Sequence, residues 1–517
     1  MSPLGLNVRL YCTYGMPILK TLDCWPAIPV IVQYGGSSDL VPPSPEDDDN
    51  VIDALKQSSR VNSINLTVTC SLLSKLSAIS EPFTELEEFV LFSQDNLQLT
   101  FPSSFHLGPR LRTLHLIRIA LPSFPRLLSL SHLLVDIKLH EIPITGYFSP
   151  EAFANALSGT TQVQSLSLHF HSLPPRRNYL ALPPSPGERV VLPALTSLKY
   201  RGTSKYLDSL VARIDAPRLG EITITFFYQP TMDASQLGRF IERVEMQTSF
   251  SQADIEISAH AISIYFNHRS KSAPLKLQIS CMRLNWQLSC MAQVCDQLSP
   301  FVSRVEVLGI TSSQLSSVQD DVAGEQWVEL VRSFGGARDF RIATNNDITT
   351  DVLLAFGRAT TAVDERHTTV LPALHHLRVD NPIEMNEPSW DALLSFIATR
   401  SLSSRPVQVD VPLFQCQVCH SCFREPDVLE RHLEHEHPYQ VMCSYCANFE
   451  WTPGHNDQFR EHLDSEHPEV ASKDALIWSP LLARSLPSQL ESLLKKHSSF
   501  RAPSIVTHPS MVAARSQ

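Results

Sequence analysis

Leu111-Arg112-Thr113-Leu114-His115-Leu116 reads L-x-x-L-x-L, and this spacing of apolar side chains returns through most of the chain before residue 380. Side chains of a strand alternate between its two faces. Leu114 and Leu116 are therefore expected to point into a core and Thr113 and His115 outward, with Leu111 packing where the chain enters the strand. The pattern recurs as Val61/Ile64/Leu66, Leu86/Phe89/Leu91, Leu134/Ile137/Leu139, Val163/Leu166/Leu168, Leu195/Leu198/Tyr200 and Leu219/Ile222/Ile224. First members are separated by 25, 25, 23, 29, 32 and 24 residues. One copy would carry almost no information, since such spacing is common in any strand-rich protein. A series of near-equal intervals is different: one unit cannot bury its own apolar face, so neighbours must stack.

The interval falls in the range of leucine-rich repeats. The fold class expected is α/β: an irregular leucine-rich-repeat-like solenoid over residues 51–405. Looser copies are read at Val302/Val305/Val307, Ala337/Phe340/Ile342 and Leu374/Leu377/Val379. The Asn or Cys that usually follows three residues after the last apolar position is missing, and Thr69, Ile119, Ile142, His171 and Thr203 stand there. Repeats without that side-chain amide should be uneven, as the intervals are. Helices are expected over 72–79, 150–157, 206–214, 237–244, 286–298, 326–334 and 389–397, and strands over 255–266 and 275–279. A proline-rich insertion at 174–193 accounts for the long interval before Leu195, and residues 225–300 fit no repeat. Residues 1–50 read as a capping segment, with Val30-Ile31-Val32 as its strand and Val41 to Asn50 as a turn-rich acidic loop.

Apolar runs fall far short of the ~20 residues a membrane span needs, and Met1 to Arg9 lacks a charged-then-apolar secretory signal. Cys12, Cys24, Cys70, Cys281, Cys290 and Cys295 are scattered singly, which suits reduced thiols in an intracellular protein, cytoplasmic or nuclear. Net charge is −11, and residues 414–470, with three basic and eleven acidic side chains, account for −8 of it. No G-x-x-x-x-G-K-[ST] loop, G-x-S-x-G elbow or H-E-x-x-H helix occurs, so no enzyme activity is expected.

Several phrases support a resemblance: L-D-C-W-P-A-I-P at 22–29, L-P-A-L-T-S-L-K-Y at 192–200, S-K-Y-L-D-S-L-V-A-R-I-D-A-P at 204–217, I-T-I-T-F-F at 222–227 and W-Q-L-S-C-M-A-Q-V-C at 286–295. Over about residues 10–380 the chain resembles the fungal F-box proteins, which join an N-terminal F-box to irregular leucine-rich repeats. The resemblance implies a substrate-recognition component of a ubiquitin ligase. Nothing from Met1 to Leu40 resembles the F-box itself, so the chain is expected to begin after it. A ligase adaptor is a partner by this analogy only.

The strongest chemical signal is Cys416-x2-Cys419-x12-His432-x4-His437, with the ligand number and spacing of a tetrahedral Cys2His2 zinc site. Phe414, Phe423 and Leu429 occupy the accessory apolar positions. A second site follows at Cys443, Cys446, His462 and His467, its middle three residues longer, with Pro453-Gly454 marking the extra loop. The expectation is a small ββα module over 410–470 holding two structural Zn2+ ions, followed over 471–517 by short helices (474–481 and 490–496) and a disordered tail. Four ligands per ion leave no open catalytic position. The base-reading positions of the two fingers are Glu425, Val428, Arg431 and His455, Gln458, Glu461. Only Arg431 suits guanine, and the surrounding −8 repels phosphate, so nucleic acid is an unlikely partner.

The function expected is a non-enzymatic zinc-binding interaction scaffold; the alternative is a zinc-finger nucleic-acid-binding regulator. A protein partner would meet the outward strand positions Glu88, Val90, Thr113, His115, Asp136, Lys138, Ser165, Ser167, Ser197, Lys199, Glu221 and Thr223, each of which can equally be plain solvated strand face.

Overall fold

Each L-x-x-L-x-L copy between Val61 and Ile224 is a strand in a parallel ladder. The computed structural model describes residues 7–12, 18, 22, 28–35, 45–79, 81–94, 99–102, 105–121, 127–128, 131–173, 189–244, 250–267, 275–312, 324–343, 346–361, 370–380, 387–402 and 405–410, with two-residue strands at 414–415, 422–423, 441–442 and 450–451. The chain forms two compact units: residues 1–306 with 313–335, and residues 307–312 with 336–517.

In the first unit β1 (Val8–Tyr11), β2 (Val30–Tyr34), β3 (Val61–Val68), β4 (Glu88–Ser93), β5 (Thr113–Ile117), β6 (Asp136–Ile142), β7 (Ser165–Phe170), β8 (Ser197–Gly202) and β9 (Glu221–Phe227) pair in chain order, all parallel. The register follows the motif. Ile64, Phe89, Leu114, Ile137, Leu166, Leu198 and Ile222 lie opposite one another from strand to strand, and so do Leu66, Leu91, Leu116, Leu139, Leu168, Tyr200 and Ile224. All are buried, as are the entry residues Val61, Leu86, Leu111, Leu134, Val163, Leu195 and Leu219. At ~1.5–3 kcal/mol for each fully buried large apolar side chain, this stack is the main stabilising feature of the unit.

The stretch over 225–300 escapes the repeat pattern because its strands pair out of chain order. The strand beside β9 is β12 (Leu275–Ser280), parallel to it, with Ile222 opposite Leu275 and Ile224 opposite Leu277. Between them in sequence lie β10 (Gln252–Ser258) and β11 (Ala261–Asn267), an antiparallel hairpin that folds back on β12. The run expected as one strand over 255–266 is thus two strands.

Helices connect the strands. Those over α1 (Pro45–Leu55) and α2 (Cys70–Leu76) pack together, as do α3 (Pro150–Leu157), α4 (Ser204–Val211) and α5 (Ser235–Arg243) in succession. Two of the positions where repeats usually carry Asn are helix caps here: Thr69 accepts from the Leu72 N–H at 3.2 Å, and Thr203 from the Tyr206 N–H at 3.4 Å. Ile119 and Ile142 fill the same position as buried apolar groups. The residue before each, Arg118 (φ 62°) and Glu141 (φ 52°), takes the left-handed conformation; Arg118 follows the end of β5, and Glu141 lies where the β6–β7 ladder shifts register. Their side chains pair, Arg118 Nε to Glu141 Oε2, at 2.5 Å. Helix α1 occupies much of the stretch expected to be a loop. Further along, α6 (Leu284–Gln297) and α7 (Gly324–Arg332) pack on each other.

The second unit contains four parallel strands, β13 (Val307–Ser312), β14 (Asp339–Ala343), β15 (His376–Val379) and β16 (Gln408–Asp410). Helices α8 (Asn346–Thr361) and α9 (Glu387–Leu402) pack together. The first loose copy is shifted from its expected register: Leu308 and Ile310, rather than Val305 and Val307, stand opposite Phe340 and Ile342. Arg400 is 1% exposed, and its guanidinium donates to the carbonyls of Leu371 at 3.3 Å and Leu374 at 2.9 Å. Among the described residues no helix is long and apolar enough to cross a membrane. Residues 174–188 of the expected proline-rich insertion, and the expected helices at 474–481 and 490–496 with the tail, lie outside the described residues.

Candidate protein-docking surface on the strand face

The in-register ladder that buries one face brings the other face together in rows. The first outward row is Ser63, Glu88, Thr113, Asp136, Ser165, Ser197 and Glu221; the second is Asn65, Val90, His115, Lys138, Ser167, Lys199 and Thr223. All twelve expected outward positions fall in these rows, including the partner candidates Glu88, Thr113, His115, Asp136, Lys138 and Lys199. All are at least partly exposed except Ser167, which is 2% exposed.

A third row lies one residue beyond the motif. Thr67, Phe92, Ile117 and His140 are opposite one another, as are His169 and Arg201, and Arg201, Thr225 and Gln278. The ladder shifts between Leu139 and Ile142, which takes His140 and His169 out of formal register. Their rings nevertheless stack, with centroids 4.1 Å apart and planes 7° from parallel. Ser167 Oγ lies 2.8 Å from His140 Nε2 and 3.4 Å from His169 Nε2. The signal for this row was present in sequence, because His140, His169 and Arg201 each follow the last apolar residue of a motif copy.

Side chains on this face bind one another across strands. Asp136 Oδ2 lies 2.7 Å from His115 Nε2 and 2.8 Å from Lys138 Nζ. Burial pushes the Asp136 carboxyl up, but hydrogen bonds from Lys138, His115 and Ser165 outweigh it and hold it below the usual range. Ser63 Oγ donates to Glu88 at 2.8 Å, and Ser197 Oγ to Glu221 at 3.1 Å; Lys199 Nζ lies 3.5 Å from Glu221. Burial, then the charges of His115 and Lys138, lowers the His140 pKa. Burial, then His140, Arg201 and Lys199, pushes His169 down to about 4. Both imidazoles are therefore neutral at pH 7.

The expected zinc ligands Cys416, Cys419, His432, His437, Cys443, Cys446, His462 and His467 lie outside the described residues. Two small hairpins flank the cysteine pairs in the chain. Phe414–Gln415 pairs antiparallel with Cys422–Phe423, and Val441–Met442 with Glu450–Trp451. Among the described residues, no group of three or more His, Cys, Asp or Glu side chains converges to hold an ion. Among the described residues, Cys12, Cys70, Cys281, Cys290 and Cys295 form no disulfide.

No family model and no curated protein matches this chain. One solved structure that matches is the leucine-rich repeat-containing protein LegL7 from Legionella pneumophila, 12% identical, covering 76% of this chain and 97% of that one, with a TM-score of 0.26. The class is defined by the ladder's own register: a mixed α/β repeat protein with leucine-rich spacing, one face of its strands buried and the other laid out in rows of mostly polar side chains.

Proposed function

We propose that this chain is a non-enzymatic interaction scaffold that receives a protein partner on the outward strand face and carries two structural zinc sites in its acidic C-terminal region. The observation that carries the first part is the alignment of outward side chains in rows across β3 to β9, the first polar throughout and the second polar but for Val90. Such a surface offers many weak polar contacts, suited to specificity rather than to bond making. The resemblance to fungal F-box proteins extends the proposal to recognition of a substrate for ubiquitylation. Co-purification of a ligase adaptor with the full chain tests that extension, and its consistent absence removes it. The docking face is tested by amide exchange with and without a captured partner. Slowed exchange over 113–117, 136–142, 165–170 and 197–202 is expected, and protection confined to other segments would reject the face.

In the zinc reading, Cys416, Cys419, His432 and His437 hold one ion and Cys443, Cys446, His462 and His467 the other. The antiparallel pairs around each Cys-x2-Cys support it, because a short hairpin is the backbone that presents two thiolates together. Bound there, zinc supplies folding free energy. Metal analysis of the purified chain should find two zinc ions, falling by one in Cys416→Ser and by one in Cys443→Ser. A metal-free chain, or loss of neither ion, ends this part of the proposal.

A further inference from the structure

Charge on the strand face is sorted by row. Carboxylates (Glu88, Asp136, Glu221) occupy the first row; cations occupy the second and third, as Lys138, Lys199 and Arg201. The carboxylates are already engaged. Asp136 is bonded to His115 and Lys138, and Glu221 accepts from Ser197 and lies 3.5 Å from Lys199, a pair about half exposed and open to competition by another carboxylate. Glu141, the acid within electrostatic reach of His140 and His169, is hydrogen-bonded to Arg118. Arg201 is exposed, its guanidinium 5.7 Å from the centre of the Phe227 ring, and Lys199 is exposed beside it on the same strand. Between them and Lys138 lies the His140–His169 stack, held by Ser167. At His169 the charges of Arg201 and Lys199 each act more strongly than that of Glu141, so positive charge prevails beside the stack, and both imidazoles stay neutral until an anion offsets it.

We infer that Lys199, Arg201 and the His140–His169 stack dock an acidic segment of a partner protein, an inference that rests on the strand face being the docking surface. Exposed cations on a rigid strand are pre-positioned, so little ordering opposes the contact. An acidic peptide is favoured over a nucleic acid because the carboxylate row lies two residues along the same strands, ~7 Å away. A duplex is wide enough to cover both rows and would meet the acids, whereas one extended peptide can keep to the basic rows. An anion placed here also favours protonated imidazole, so docking should take up protons.

The experiment uses the full chain and three fluorescein-labelled probes at low salt: an oligoglutamate peptide, an oligolysine peptide of equal length and a single-stranded oligodeoxynucleotide. Polarisation should show oligoglutamate binding that weakens with salt. Lys199→Ala with Arg201→Ala should weaken it about tenfold or more, whereas Arg110→Ala, a cation outside these rows, should leave it unchanged. Calorimetry in buffers of different ionisation enthalpy should detect proton uptake that disappears in His140→Gln with His169→Gln. Failure to bind oligoglutamate, or equal binding by the Lys199/Arg201 double variant, overturns the inference. Tighter binding of the oligodeoxynucleotide through the same two residues overturns it in favour of nucleic acid. The face itself is judged separately, by the partner-dependent amide protection described above. That protection can persist with oligolysine bound and oligoglutamate rejected, in which case only the assigned charge is wrong.

Discussion

Asp208 shows how a single carboxylate ties neighbouring repeats together. It projects from α4, is 7% exposed, and its Oδ1 accepts from the N–H groups of Gln236 at 2.6 Å and Leu237 at 3.0 Å. Those donors belong to the first turn of α5, whose own flanking residue Ala234 supplies no side-chain cap. Burial outweighs the two hydrogen bonds and pushes the Asp208 pKa up to about 6. Its folded-state pKa thus lies above the unfolded one, so its contribution is full below about pH 4 and fades as pH rises through about 6. Asp208→Asn keeps the accepting oxygen and removes the charge. It should hold stability at neutral pH and abolish this part of the pH dependence, whereas Asp208→Ala should cost ~1–2 kcal/mol by stranding two amides. Urea unfolding at about pH 5 and about pH 8 separates the cases, and an Asn variant as weak as the Ala variant would refute the capping role. His169 has the opposite sign: its pKa of about 4 is depressed, so stability is full above the ordinary imidazole range and declines as pH falls towards about 4. His169→Gln should flatten that acid decline.

At the scale of elements, the segment that leads into helix α5 is held by α6. Gln297 Oε1 accepts from the Ala234 N–H at 2.7 Å, and its Nε2 donates to the Met232 carbonyl at 2.7 Å; Gln293 Oε1 accepts from the Met232 N–H at 2.9 Å. Gln297→Leu keeps the volume and removes both bonds, and should lower stability by ~1–3 kcal/mol. Amide exchange over 232–241 should quicken more than in β3 to β8, and uniform quickening would argue against a local staple. None of this bracing was legible in sequence, because it joins residues more than sixty positions apart. The strands were legible, since alternation and spacing are local properties and the motif fell into register almost unaltered. Helix α1 was missed because the acids of Val41–Asn50 read as a solvated loop. Pro45 followed by Glu46, Asp47 and Asp48 is equally the make-up of a helical first turn, with proline where no N–H is needed and acids at the positive end. The pairing of β12 with β9 was hidden because hairpin order depends on contacts that local pattern does not encode. The outward rows were read two deep and prove three deep, as the motif stops at its last apolar residue while the strand continues.

For the molecule as a whole, charge is divided as unevenly as chemistry. Of the net −11, residues 414–470 account for −8, and they contain every proposed zinc ligand. The ladder is held by its own apolar stack, whereas the accessory apolar residues of the C-terminal sites are too few to fold alone. Zinc in such sites contributes ~10–16 kcal/mol, so removing it should act on one part of the chain and spare the other. Limited trypsin digestion with and without a strong chelator reads this directly. Chelation should speed cleavage at Arg424, Arg431 and Arg460 and leave the rate at Lys138, Lys199 and Arg201, held within the ladder, unchanged. Like charge makes the contrast sharper, since eleven acids would repel one another once the two proposed metal clamps were removed. If chelation speeds cleavage in the ladder equally, zinc is supporting the repeats; if it speeds neither, the eight cysteines and histidines are not holding metal.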